Sequence, residues 1–175
     1  IGMFRTPEDL ESARILLEAG APPASDILGP DEVLLEHVLG GNDALAHELL
    51  RLLLTAGADP DVLDRFDRRP LIFSTFTDLP ELEILAEAGA NLGALDTRSD
   101  RPGWNALMNA VYMRQWDQAL YLLGKGVATD HVGRDGTTLD QIMAEHGSGP
   151  DASDPGFSSF REALARKRAA SPGRG

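Results

Sequence analysis

The chain has 175 residues and 18.8 kDa, enough for one compact domain or a short repeat array that buries roughly two-thirds of its unfolded surface. It contains no cysteine, which excludes disulfides, thiolate metal sites and cysteine nucleophiles. A net charge of −12 argues against binding nucleic acid or an anionic membrane surface, since both need a basic footprint.

The 26 leucines and 22 alanines outweigh 12 valines plus isoleucines, a ratio that favours helices because β-branched side chains lose rotamer freedom there. No run approaches the roughly 18 apolar residues of a membrane span. No basic–apolar leader opens the chain at Ile1, so a cytoplasmic location is expected.

In chain order, residues 1–4 read as the tail of a helix and Pro7–Ala19 as its partner, stopped at Gly20. The segment Gly40-Gly41-Asn42-Asp43 enlarges the next inter-helix loop, and the leucines of 49–54 form a helix stopped at Gly57. A third leucine-rich helix ends at Gly89 and a fourth at Gly126, so the four stops are 37, 32 and 37 residues apart. Glycine takes the left-handed cap without a Cβ penalty. Three of the stops carry the same tripeptide, Ala-Gly-Ala, at 19–21, 56–58 and 88–90. The leucines at 16–17, 49–54, 82–85 and 120–123 are expected to stack in a row.

Turn chemistry lies between the helices. Asp64 precedes Leu71 by seven residues and Asp100 precedes Leu107 by seven, with proline or glycine between them. A third version, Arg134-Asp135-Gly136-Thr137-Thr138-Leu139, is about one residue shorter. Residues 147–156 are loop by composition. Phe157, Phe160 and Leu164 then recur at helical spacing, giving a closing helix over 157–170 and a tail over 171–175.

These glycine-stopped helix pairs with their turns resemble the ankyrin repeat over roughly residues 1–146. The family's histidine is replaced here by Ile72, Met108 and Asp140, and its turn glycine by Asp67. The resemblance implies an all-α solenoid of about four stacked helix–turn–helix units, the first incomplete, with hairpin-like turns and a C-terminal capping helix.

Motifs for chemistry are weak. Counted from Asp59, a calcium loop would need glycine at position 6 and glutamate at 12, where Asp64 and Pro70 stand. His37, His47, His131 and His146 show no helical metal spacing. No nucleophile, base and orienting group converge. No catalytic residue, metal or cofactor is expected.

The resemblance places the turn tips and the outward side of each first helix on a concave binding face. Those tips carry Arg65, Phe66 and Arg68, then Arg101, Pro102 and Trp104, then Arg134; the first helices carry Phe73, Phe76, Asn109 and Tyr112. Aromatic residues and arginine dominate interface hot spots. Trp104, beside Gly103, is expected to be an exposed anchor, and Trp116, between helices, to be packing. The expected function is a non-enzymatic protein–protein interaction module, monomeric when free. Its sharper form is a bacterial immunity or antitoxin protein holding a basic toxin or effector, whose opposite field speeds encounter. The alternative is a structural repeat segment of a larger effector or scaffold.

Overall fold

The structure, a computed structural model, describes residues 6–21, 43–63, 69–74, 78–147 and 153–170. Among these the regular structure is helical, in eight segments: α1 (Pro7–Glu18), α2 (Ala44–Thr55), α3 (Pro70–Ser74), α4 (Leu79–Glu87), α5 (Ala106–Tyr112), α6 (Trp116–Lys125), α7 (Leu139–Gly147) and α8 (Pro155–Ala170).

The helices begin and end by recurrent local chemistry. Thr6, Asp43, Asp78 and Asn105 each accept a hydrogen bond from the amide three residues on, which satisfies one orphan donor of the first turn. At the other end, Gly20, Gly57, Gly89 and Gly126 all have φ between 86° and 100°. The residue after each glycine donates to the carbonyl five positions back (Ala21 to Leu16, Ala58 to Leu53, Ala90 to Leu85, Val127 to Leu122). That closure caps the carbonyls a helix end leaves open, and a side chain at the glycine would be strained.

Packing is between neighbours and forms two rows. In one, α1 meets α2, α2 meets α4, α4 meets α6 and α6 meets α8; in the other, α3 meets α5 and α5 meets α7. The pairs α3/α4 and α5/α6 join the rows. The core follows the leucine runs, with Leu49, Leu50, Leu53, Leu82, Leu85, Leu122 and Leu123 buried. Leu16 is the exception to the expected leucine row: it is 52% exposed on α1.

The closing helix starts at Pro155, two residues earlier than expected, because the Asp154 carboxylate caps the amides of Gly156 and Phe157 and proline suits the first helical turn. Phe157, Phe160 and Leu164 are buried. Phe157 and Phe160 lie against Trp116, whose indole donates to Asp154 at 2.9 Å. Trp116 is thus packing, as the first residue of α6 rather than a loop residue. At the far end of α8, Arg168 bonds Asp140 at 2.8 Å and the Thr129 carbonyl at 3.2 Å, while Lys167 donates to the Leu123 carbonyl.

The connections between rows are hairpin-like but unequal. Single antiparallel bridges pair Leu95 with Asn105 and Val132 with Thr138. The first encloses residues 96–104 and the second only 133–137.

Candidate partner-binding face

The best-defined surface constellation is built by the turn before α5, the end of α5 and the turn before α7. The Arg101 guanidinium lies 4.7 Å from the Tyr112 ring centroid, and its Nη2 is 3.9 Å from the Met113 sulfur. Tyr112 and Met113 are 40% and 39% exposed. Arg101 also pairs with Asp100 at 3.6 Å. The Arg101 side chain is only 13% exposed, so it braces the Tyr112 ring and restricts its motion.

Beneath this patch lies Trp104. Its ring meets Tyr112 edge-on at 5.4 Å, and its Nε1 donates to both Asp135 oxygens at 3.3 Å. The expectation of an exposed anchor is corrected here: Trp104 is 5% exposed. The reason lies in the next turn, where a Cβ on Gly133 would stand 2.7 Å from Trp104 Cδ1. The indole fills the space that glycine leaves, so it joins two turns. Asn109 is likewise corrected, being fully buried in α5 and closed to any partner. That helix is packed by α3, α6 and α7, which leaves little of its surface outward.

Further bonds lock the two turns. The Arg134 amide donates to the Pro102 carbonyl at 2.8 Å, His131 Nε2 donates to the Gly103 carbonyl at 2.7 Å, and the Asn105 amide group donates to the Ala128 carbonyl at 2.9 Å. The Arg134 side chain is exposed, with its stem crossing Gly103. Of the expected site residues, Arg101, Tyr112 and Arg134 therefore share one surface. Arg65, Phe66, Arg68 and Phe76 lie outside the described residues, as does the side chain of Phe73, whose backbone is in α3.

Two carboxylates tune this region. Burial pushes the Asp96 carboxyl up, but the side-chain and backbone bonds and charge of Arg98, with a smaller contribution from Asn109, outweigh it and hold it below the ordinary aspartate range. Arg98 Nε meets the two Asp96 oxygens at 3.0 and 3.1 Å. Asp135 is also lowered, chiefly by the Thr137 amide and further by the Trp104 indole. Sequence reasoning missed Met113 and the Asp96–Arg98 pair. The first is adjacent to a residue it did select; the second follows the stop glycine Gly89 by seven positions.

A broad depression of about 1010 Å³ lies between the 126–131 turn, α7 and the end of α8. Its Arg168 and Lys167 are engaged in holding α8, as described above. Among the described residues no group of His, Asp and Glu side chains has metal-binding geometry, and no helix is long and apolar enough to cross a membrane. Comparison with protein-family models and with curated protein sequences finds no match to this chain.

Proposed function

We propose that the chain is an ankyrin-type repeat solenoid acting as a non-enzymatic protein-binding module. The repeat reading draws support from the shared glycine closures, the two-row packing and the bridges between turns. The binding reading rests on one observation: Tyr112 and Met113 form an exposed patch, braced by the largely covered Arg101 side chain, on a platform that Trp104 holds rigid. A patch on a rigid support loses little entropy when it binds. The −12 charge favours a basic partner protein, and a toxin blocked by an immunity protein is the sharper form of the proposal.

The test is capture from the native host with the tagged chain, at low and high salt, beside Tyr112→Ala and Met113→Ala variants. A partner enriched at low salt and lost with either variant supports the reading. A partner retained by both variants moves the site elsewhere. The second reading, a structural segment of a larger protein, draws on Ile15 and Leu16, which α1 leaves 57% and 52% exposed. It predicts no specific capture at any salt concentration.

A further inference from the structure

Counting from each stop glycine reveals a register that composition hides. The sixth residue after Gly57, Gly89 and Gly126 is Leu63, Leu95 and Val132. All three are exposed, at 46%, 38% and 53%, whereas Val62, Leu92, Ala94 and Val127 beside them are partly or wholly covered. Leu95 and Val132 occupy equivalent places, each opening one of the two bridges. Adjacent turns are tied together, by the Asn91 amide on Asp61 at 3.1 Å and by the His131 and Asn105 bonds already given. The three side chains therefore form a ladder of single apolar rungs along the row of turns. Leu95 also lines an open pocket of about 190 Å³ with Leu92, Val127, Ala128 and His131.

From this ladder we infer that the turn row binds an extended polyproline-II segment of a basic partner, with an apolar residue at every third position. The inference rests on the protein-binding reading above and names the partner's chemistry. Each turn is attached to one helix of a packed row, and packed helices stand about 8–10 Å apart, which sets the rung spacing. A polyproline-II helix has three residues per turn and rises about 3.1 Å per residue, so its every-third side chains line one edge about 9 Å apart. A β-strand would turn alternate rung-facing residues to the opposite side, because its side chains repeat every second position. An α-helix has an apolar face more than one residue wide, for which one rung per turn offers no counterpart.

Charge selects basic residues between the rungs. Asp59, Asp130 and Asp135 are exposed in these turns, against the single exposed arginine Arg134 among their described residues. By contrast Arg69, Arg98 and Arg101 are paired with Asp61, Asp96 and Asp100.

The experiment uses the full chain and a fluorescein-labelled peptide of repeating Leu-Pro-Lys triplets, with fluorescence anisotropy as the readout. The control peptide has the same composition in a scrambled order in which leucines do not recur at every third position. Binding of the triplet peptide, weakened about tenfold by Leu95→Asp or Val132→Asp and by salt, is the expected result. Leu95→Thr, which keeps strand propensity at the bridge, should show a smaller loss, and circular dichroism verifies that each variant is folded. The inference is overturned if neither peptide binds, if both bind equally, or if the aspartate variants bind like the parent. Concentration-dependent dimerisation abolished by Leu95→Asp also overturns it, since the ladder would then belong to a second copy. If the peptide fails while a captured partner still depends on Tyr112, the ladder is refuted and the binding-module reading stands.

Discussion

Replacing Trp104 by alanine separates a structural tryptophan from a binding one. The indole is almost wholly covered, touches Tyr112 edge-on and occupies the space above Gly133, so little of the cavity can collapse. Buried tryptophan-to-alanine changes cost about 3–5 kcal/mol. For a chain of this length each kcal/mol lowers Tm by about 2–4 °C, so the expected fall is about 6–20 °C. Trp104→Phe keeps most of the apolar area and loses the indole N–H, whose 3.3 Å contacts to both Asp135 oxygens are long. Asp135 is exposed and regains water when released, so the lost bond itself costs only about 1 kcal/mol. The assay is urea and thermal melting by circular dichroism, with hydrogen exchange at the 96–104 and 131–138 turns to localise the damage. An alanine variant within about 1 kcal/mol of the parent would refute the argument, because no buried indole is lost so cheaply.

Gly156→Ala should destabilise by about 1–3 kcal/mol through overpacking, since its Cβ would stand 2.3 Å from Trp116 Cδ1. Gly124→Ala, in α6 with open space around its Cβ, should instead stabilise by about 0.5–1 kcal/mol, and paired denaturant melts compare the two. Asp96 and Asp154 are both held below their ordinary values in the folded chain, Asp154 chiefly by the Trp116 indole. Folding then releases protons, so their stabilisation is complete above the unfolded value of about 3.9 and is lost as pH falls through the lowered folded values. Arg98→Gln removes the group that offsets burial at Asp96, so it should lower stability at neutral pH and shrink that acid loss, read from urea midpoints across the acid range. Deleting residues 148–175 uncovers the surface under Phe157, Phe160 and Leu164, so the truncated chain should melt lower and aggregate. A truncated chain as stable and monodisperse as the parent would make α8 a loosely held tail.

Legibility in the sequence followed the range of the interaction. The four helix stops were readable because a positive φ next to a leucine run is a local demand that glycine alone meets easily. The closing helix was readable from its spacing, and its start was displaced by two residues because the cap is a single side chain, Asp154. Trp104 was misplaced because the residue that covers it, Gly133, lies in the next turn, and nothing in Arg101-Pro102-Gly103-Trp104 signals that ceiling. Asn109 was misplaced for a related reason. A helix as short as α5 has several of its sides occupied by neighbours, which a single outward face cannot represent. Leu16 shows the converse, an apolar residue whose pattern promised burial that α1's neighbours do not provide.

The unequal turns carry a consequence for how such a chain can diversify. Residues 96–104 span a bridge that the next unit closes with only 133–137, yet α3, α5 and α7 remain in contact along their row. Extra length is absorbed outside the helices, where closing a longer loop costs only about 0.6 kcal/mol per doubling. The turns are therefore the part of the molecule where insertions accumulate cheaply, as long as the bonds that tie each turn to the next are kept. Turn length can thus vary from unit to unit while the helices and the bonds between turns stay under a stricter requirement of fit.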